Sequence, residues 1–309
     1  MRGVGTKLQI TKNSTVTAHL LDLTRTAHRA GRHPTGIDRI ERAYLQHMLE
    51  HPTPLFGFVR TKVGFLLLDA AGCAALLKHI ERPIWSKPDL ISSLSRRKDP
   101  TLAATETGLR RLAIARSTPI GLTRMLKHHL PSGTVYFNVG QTNFTDRVVH
   151  ALKACDDLRV VVYIHDTIPL DLPQTQTVAS RTKFKRYFGH CLRSAHLILC
   201  NSQHTKEQIE LHAADSVPPP IHVLLPGAPD ITTGAAPQGP WTGKPYFMAI
   251  GTIEPRKNIA ALLDIWEAYT SPFDPVLLIC GRRGWMSGDV FERLDSNPLN
   301  VHELNRSAR

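Results

Sequence analysis

The stretch PYFMAIGTIEPRKNIAALLDIWEAY, residues 245–269, places an apolar run, a turn and an amphipathic segment in direct succession. The run YFMAI (246–250) is apolar throughout, which is typical of a strand covered on both faces of a parallel sheet. In the segment after the turn, apolar residues recur at helical spacing: Ile259, Leu262, Leu263, Trp266 and Tyr269. A strand followed directly by a helix is the repeating unit of an α/β fold.

Seven further apolar runs of this kind alternate with helical patterns: AHLLDL (18–23), PLFGFV (54–59), TVYFNV (134–139), RVVVYI (159–164), HLILC (196–200), HVLL (222–225) and VLLIC (276–280). Thr35, Ser202 and Asn258 precede helical segments and are of the residue types that cap helix N-termini. We therefore predict an α/β fold built from two doubly wound, Rossmann-like parallel-sheet domains.

The segment PGAPDITTGAAPQGPWTGKP (226–245) sustains neither a strand nor a helix period. We expect a domain at residues 1–228, a linker at 229–242 and a second domain at 243–309, with limited proteolysis cutting first between Pro226 and Pro245. The second domain is short for a complete doubly wound sheet.

The chain is basic, with a formal net charge of +12 and 16 further histidines, which favours anionic ligands. Nucleic acid is disfavoured because the cations are scattered and aromatic residues make up only 6% of the chain. The five cysteines are odd in number and widely spaced, as free thiols in a reducing compartment would be. Without a signal-peptide-like segment, these features indicate a soluble cytoplasmic protein.

Residues 81–130 are basic and helical in pattern. A solvated helix face with a buried stripe is the favoured interpretation, and a peripheral contact with an anionic membrane at its inner face stays open as the alternative.

Two adjacent cations, Arg256 and Lys257, lie between the strand YFMAI and the following helix. In open α/β sheets anions bind where helices begin beyond the carboxyl ends of parallel strands. Together the two cations would neutralise a diphosphate. Taken alone, the stretch is equally compatible with two solvated cations in an exposed turn.

The stretch GTIEPRKN (251–258), followed by CGRRGW (280–285), resembles the donor-domain signature of the family 4 retaining glycosyltransferases of GT-B fold. Further segments are similar to that family in the same order: DLTRTAHRAGRHPTGIDRIERAYL (22–45), NVGQTNF (138–144), YIHDTIPLDLP (163–173) and LILCNSQHTKEQI (197–209). The resemblance covers roughly residues 18–305.

The resemblance implies a hexosyltransferase that uses a nucleoside-diphosphate-sugar donor and a polysaccharide or lipid-linked glycan acceptor. It implies that Arg256 and Lys257 bind the donor diphosphate, that no metal or other cofactor is required, and that further residues lie at the substrate cleft: Thr35, Gly36, Gly251, Arg282 and Arg283. Arg282 and Arg283 are equally compatible with an ordinary polar loop.

His165 follows the strand RVVVYI, at the edge where substrates bind in parallel sheets. A neutral imidazole there could donate a hydrogen bond to a sugar hydroxyl or a phosphate. By position alone, packing is an equal alternative, and the resemblance favours a catalytic role. For Asp166 an Asx turn is the stronger interpretation.

The family pattern also includes two glutamates two turns apart on a later helix, which contact the donor sugar and ribose, and no such pair occurs in this sequence. We therefore expect a C-terminally truncated transferase without detectable transfer of its own. The non-enzymatic alternative is a truncated pseudoenzyme that binds glycan or a partner.

Overall fold

The computed structural model describes residues 16–82, 85, 87–96, 99–213, 216–227, 234, 238–268, 275–284, 288–296 and 301–304. The chain divides into two compact units, Met1–Gly227 and Ala228–Arg309. Each unit contains a parallel or mostly parallel sheet with helices. The predicted α/β class with two Rossmann-type sheet units is confirmed.

The first unit is built on an eight-stranded sheet in the order β4-β3-β2-β1-β5-β6-β7-β8. Its strands are β1 (Ala18–Asp22), β2 (Leu55–Arg60), β3 (Phe65–Leu68), β4 (Ala115–Ser117), β5 (Thr134–Asn138), β6 (Arg159–Ile164), β7 (Leu197–Cys200) and β8 (Ile221–Val223).

Ten α-helices are described in this unit: α1 (Thr24–His28), α2 (Gly36–Glu50), α3 (Ala70–Glu81), α4 (Leu90–Ser95), α5 (Pro100–Leu112), α6 (Leu122–His129), α7 (Asp146–Lys153), α8 (Ile168–Asp171), α9 (Val178–Ser194) and α10 (Gln203–Ala213). Thr35 and Ser202 cap α2 and α10 as predicted: Thr35 accepts a hydrogen bond from the Asp38 N–H, and Ser202 accepts one from the Thr205 N–H.

Both faces of this sheet are buried. Leu20 and Leu21 are fully buried neighbours on β1, and each belongs to a different core cluster. Because successive side chains of a strand point to opposite faces, the two leucines pack on opposite sides of the sheet. The apolar run at β1 thus has the two-sided burial that its pattern predicts, whereas the run at 222–225 does not, since Leu225 is 73% exposed.

The first sheet is mixed rather than wholly parallel, which corrects the sequence prediction. The β2–β3 and β3–β4 pairs are antiparallel, and the other pairs are parallel. A short turn reverses the chain after β2, closed by the Thr61 N–H donating to Gly64 O at 2.7 Å. Gly64 has φ 155°, and a Cβ there would lie 2.1 Å from Ser117 O, so only glycine fits this turn.

The second unit contains a three-stranded parallel sheet in the order β11-β10-β9. Its elements are β9 (Tyr246–Ile250), α11 (Ile259–Ala268), β10 (Val276–Cys280), α12 (Gly288–Asp295) and β11 (Val301–Leu304). Ile259 and Leu263 of α11 are buried against Leu277 and Ile279 of β10. Tyr269, predicted to share that helix face, and much of the predicted linker lie outside the described residues.

No disulfide joins any of the five cysteines, all of which lie in described residues. In the part of the chain that the structure describes, no helix combines the length and apolar character needed to cross a bilayer.

Candidate functional site

The carboxyl edge of the first sheet holds a buried polar network centred on Asp22, the last residue of β1. Asp22 Oδ2 accepts hydrogen bonds from the Tyr136 hydroxyl and from Asn143 Nδ2, both at 2.8 Å, and Oδ1 accepts one from the Thr24 N–H at 3.0 Å. Burial raises the pKa of this carboxyl, and the hydrogen bonds oppose the shift. The network fastens the loop after β5 to the end of β1.

This loop, residues 139–145, contains two non-glycine residues in the left-handed region: Gln141 with φ 49° and Asn143 with φ 61°. Asn138 stabilises the turn by donating from Nδ2 to Thr142 O at 2.7 Å. Left-handed residues of this kind cost free energy and cluster at functional sites. The loop also forms one wall of the largest cavity that we describe.

That cavity, the α9 pocket, has a volume of about 640 Å³ and lies entirely within the first unit. Its walls include Ile37 of α2, the 141–145 loop, Asp166, and one side of α9 that presents Lys183 and Tyr187. The volume falls in the usual range of small-molecule sites. Aromatic rings beside cations suit a ligand with both apolar ring faces and negative charge.

His165, the predicted catalytic residue, is not among the residues that line this pocket and is only 5% exposed. Its Nε2 is 2.7 Å from Val139 O, and because a carbonyl can only accept, Nε2 carries the proton and donates it. Burial lowers the pKa of the ring to about 4, so the imidazole is neutral near neutral pH. Its N–H is therefore already used by the backbone rather than offered to a substrate.

Asp166, the neighbour of His165, does line the α9 pocket. Its Oδ1 accepts a hydrogen bond from the Ile168 N–H at 3.3 Å, which is the Asx-turn geometry expected from the sequence. Asp166 shapes the pocket wall between β6 and α8.

The N-terminus of α2 carries the two predicted cleft residues Thr35 and Gly36. The Thr35 hydroxyl lies 2.8 Å from Asp38 Oδ2 and accepts from Arg25 at 3.1 Å, within a capping box. A Cβ on Gly36 would meet nothing within 4 Å. Thr35 is thus engaged in the helix cap, whereas Gly36 leaves open space at the helix start.

The cap is completed by Asp38, whose carboxylate accepts from Arg25 Nε at 2.7 Å and from Arg29 Nε at 2.6 Å. Burial alone would raise the pKa of Asp38, but the Thr35 N–H and the charge of Arg25 outweigh it, and the pKa lies below its ordinary value. Arg25 and Arg29 therefore stabilise the N-terminus of α2 through Asp38.

Glu41, one turn further along α2, was not singled out from the sequence. It is fully buried, accepts a hydrogen bond from the Thr26 hydroxyl at 2.6 Å, and leaves Oε1 without a partner in the described residues. Burial raises its pKa to about 8. The sequence does contain a signal, because Glu41 shares the buried stripe of Leu45 and Met48 at spacings of four and seven residues.

In the second unit, the turns after β9 and β10 touch through their backbones. The Gly251 N–H donates to Cys280 O at 2.9 Å, and a Cβ on Gly281 would lie 1.8 Å from Gly251 O. Gly251 has φ 141°, outside the range that L side chains adopt readily. The two glycines therefore allow a close contact at the carboxyl edge of this sheet.

Lys257 folds back over that edge: its Nζ lies 3.7 Å, and its Cε 3.3 Å, from where a Cβ of Gly251 would be. Among the described carboxylates, none forms an ion pair with Lys257, whereas Arg256 pairs with Glu254. The two predicted cations therefore differ: Arg256 is paired with Glu254, whereas Lys257 is paired with no carboxylate in the described residues.

Asn258 does not have the N-cap geometry predicted for it. It is left-handed, with φ 50° and ψ 43°, and follows a short 3₁₀ helix, Pro255–Lys257, with its N–H donating to Pro255 O at 3.1 Å. N-cap residues are extended instead. The prediction fails because Pro255 fixes a tight turn that brings the chain to α11 through a left-handed residue.

Arg282 and Arg283 follow β10, and the structure separates them. Arg283 donates to Asp295 Oδ2 at 3.0 Å and to Glu303 Oε2 at 2.8 Å, and it lies over the Phe291 ring. These hydrogen bonds raise its pKa further above its ordinary value. Arg283 thus joins β10, α12 and β11, and its predicted ligand contact stays a prediction.

Arg282 remains exposed and forms no ion pair with the described carboxylates, while its backbone carbonyl accepts from the Ile253 N–H at 2.9 Å. No group of three or more His, Cys, Asp or Glu residues in the described ranges could hold a metal ion.

No protein-family model matches the chain, and no curated protein matches it. Among solved structures, the chain is similar to one titled "Crystal structure of GtfA/B complex", with a TM-score of 0.40 and 14% sequence identity. The match covers 64% of this chain and 39% of that chain, so it spans well under half of that chain's length. At this TM-score the likeness bears on neither activity nor substrate.

Proposed function

We propose that this chain binds a nucleoside-diphosphate-sugar in its second unit and a glycan or lipid-linked acceptor in its first, for transfer of the sugar with retention. The observation that carries the proposal is the position of Lys257, a cation that pairs with no carboxylate in the described residues and lies folded over the glycine turn at the carboxyl edge of a parallel sheet. That edge is where anionic ligands bind in open α/β folds.

On the donor side, Lys257 contacts the diphosphate, and Arg282 on the neighbouring turn is a second cation that pairs with no carboxylate in the part of the chain that the structure describes. Glycine at 251 leaves room for the Lys257 side chain, and glycine at 281 lets the two turns pack against each other at this edge. As the sugar leaves, negative charge builds up on the diphosphate, and fixed cations stabilise that charge without a metal. Arg256 contributes after exchanging Glu254 for phosphate.

On the acceptor side, the α9 pocket holds the incoming sugar or glycan against its aromatic wall. His165 acts here as a positioning residue: its N–H holds Val139 O, which fixes the 139–145 loop beside the pocket. The retaining outcome is what the sequence resemblance implies, and the cytoplasmic location of the reaction is proposed from the odd number and wide spacing of the five cysteines.

The test is calorimetric titration of the 309-residue chain with UDP and GDP. Lys257→Ala removes a charged contact worth roughly 1.5–3 kcal/mol, so its affinity should fall about 10- to 150-fold. The matched control is Lys244→Ala, which removes the same charge at the amino end of β9, opposite Lys257.

Unchanged affinity of the Lys244→Ala chain together with the predicted loss for Lys257→Ala would support the proposal. Equal affinity of both variants, or no binding of either diphosphate by the parent chain, would reject it.

A further inference from the structure

A second, smaller cavity lies at the turn between β2 and β3, and the charged residues that line it are all cationic. Its volume is about 170 Å³, and the described residues around it include Arg60, Lys62 and Arg147 but no acidic residue. We call it the cationic cavity. Its position is set by the rigid Thr61–Gly64 turn, where the Gly64 backbone packs on Ser117.

The three cations of the cationic cavity differ from the other arginines near this sheet in their ion pairing. None of Arg60, Lys62 and Arg147 forms an ion pair with a carboxylate in the described residues, whereas Arg25, Arg29, Arg96 and Arg110 of the same unit all do. Like charges gathered around one concavity repel one another unless an anion occupies it. The arrangement therefore selects for a ligand that carries concentrated negative charge.

The size of the cavity limits that ligand. At about 170 Å³ it is well below the roughly 300–1,000 Å³ typical of pockets for whole drug-sized molecules. A single phosphate group is compact, and arginine forks match its oxygens in bidentate geometry. The cavity suits a phosphate rather than a nucleotide.

The cationic cavity adjoins the α9 pocket, because Thr145 lines both. The Thr145 side chain makes no capping hydrogen bond to α7, although it occupies the N-cap position. One molecule can therefore extend from the larger cavity to the smaller past this side chain.

We propose that the cationic cavity binds the phosphate of the acceptor, whose remaining part occupies the α9 pocket. The acceptor is thus a phosphate-bearing compound, either a soluble sugar phosphate or a lipid phosphate. The role of this ligand as the acceptor rests on the proposed function, whereas the phosphate site itself is tested separately.

The probe is glucose 1-phosphate, titrated by calorimetry into the full chain, with glucose as the uncharged comparison. Lys62→Gln and Arg147→Gln each remove a charge at the cationic cavity and should each lower the affinity about 10-fold. The matched control is Lys153→Gln, which removes a charge at the other end of α7 and should leave the affinity unchanged. Thermal melting establishes that each variant is folded.

A second arm identifies the source of the phosphate. Phosphatidylcholine vesicles with and without phosphatidic acid are sedimented with the parent chain and with Arg147→Gln. If the parent chain sediments with the vesicles only when phosphatidic acid is present, and Arg147→Gln does not sediment, the ligand is a lipid phosphate. If the parent chain binds glucose 1-phosphate but does not sediment with vesicles, the ligand is a soluble phosphate.

The inference is overturned if neither probe binds the parent, if glucose binds as well as its phosphate, or if Lys153→Gln weakens binding as much as Arg147→Gln. Titration of the same samples with UDP and GDP separates the two proposals. Binding of a phosphate probe without binding of UDP or GDP would reject the donor site and support the cationic cavity. Binding of UDP or GDP without binding of either phosphate probe would reject the cationic cavity and support the donor site.

Discussion

The strands β6 and β9 are nearly alike as sequences and quite different in the structure. RVVVYI and YFMAI are both apolar runs at the start of a strand–turn–helix unit, and both predict a strand covered on two faces. β6 lies between β5 and β7 and is largely buried. β9 lies at the end of its sheet in the described residues, with Ile250 75% and Phe247 61% exposed.

The difference teaches that an apolar run specifies a strand but not its burial. Burial depends on how many neighbours the rest of the chain supplies. Phe247 packs edge-on against Trp266 of α11, with the ring centres 5.7 Å apart, and in the described ranges its ring meets no other aromatic ring. Leu20 of β1 instead belongs to a cluster drawn from six strands and several helices. The apolar side chains of β1 and β9 therefore contribute very differently to stability.

The strongest way to break this comparison is to truncate one apolar side chain in each unit. Leu20→Ala leaves a cavity in a closed core and should cost about 2–5 kcal/mol of unfolding free energy. Met248→Ala removes a half-exposed side chain of β9 and should cost within about 0.5 kcal/mol. Hydrogen exchange of peptides from β1 and β9 measures both, with exchange in β1 accelerated by roughly 30-fold or more in the Leu20 variant. Equal costs would show that β9 is as well supported as β1.

A pH titration sharpens the comparison, because only a deep interior holds a carboxyl like that of Glu41. Its pKa rises from an ordinary value of 4.5 to about 8 on burial. Between these values the folded chain keeps a proton that the unfolded chain has lost. The stability from this group is therefore complete below about pH 4.5 and is lost as the pH rises toward 8.

Glu41→Gln cannot ionise, so the variant's unfolding free energy minus that of the parent should grow by on the order of 3 kcal/mol between about pH 5 and 8. The control in the second unit is Asp295→Asn. The guanidinium of Arg283 lowers the pKa of Asp295, so that contribution is complete above pH 3.8 and is lost only in acid. Urea unfolding at several pH values measures both; a flat Glu41→Gln difference would contradict the burial argument.

The smallest expected effects concern the starts of two helices. Thr35→Ala removes the hydroxyl of the α2 capping box and should cost about 1 kcal/mol. Asn258→Gly relieves a left-handed residue before α11 and should stabilise the second unit by a few tenths of a kcal/mol, whereas Asn258→Ala should destabilise it. Thermal melting of the three variants tests the signs. A loss of stability in Asn258→Gly would mean that its side chain makes a cap after all.

The sequence predicted eight of the strands because each is a short apolar run beside turn residues, whether or not the strand is buried. It did not predict β3, which continues into the helical pattern of α3, or β4, whose three residues Ala115–Ser117 are too few and too polar to stand out. It also did not predict β11, a short strand with two polar residues among its four. The antiparallel pairs were also missed. Both of them involve β3, which was not predicted, and the direction of a strand depends on which strands it pairs with.

The candidate site was predictable only in part. His165 and Lys257 could be placed at sheet edges from the sequence, because each comes after a predicted strand and the order of elements is a local feature. Which hydrogen bonds those side chains make could not be predicted: Val139 O is 26 residues from His165 in sequence, and Asp295 and Glu303 lie 12 and 20 residues beyond Arg283. Similarly, Asp22, Tyr136 and Asn143 become one network only when β1 pairs with β5.

The contact between Gly251 and Gly281 has a consequence for recognising distant relatives of this protein. A cation can move along a turn or be replaced by its neighbour during evolution and still reach a phosphate. A methyl group at position 281 cannot be accommodated by any rotamer change, because the atom it would strike is the backbone oxygen of Gly251. Substitution there removes the juxtaposition of the two turns in a single step. In divergent sequences, the pair of glycines after two successive strands is therefore a more durable fingerprint of this unit than the arginines and lysine beside them.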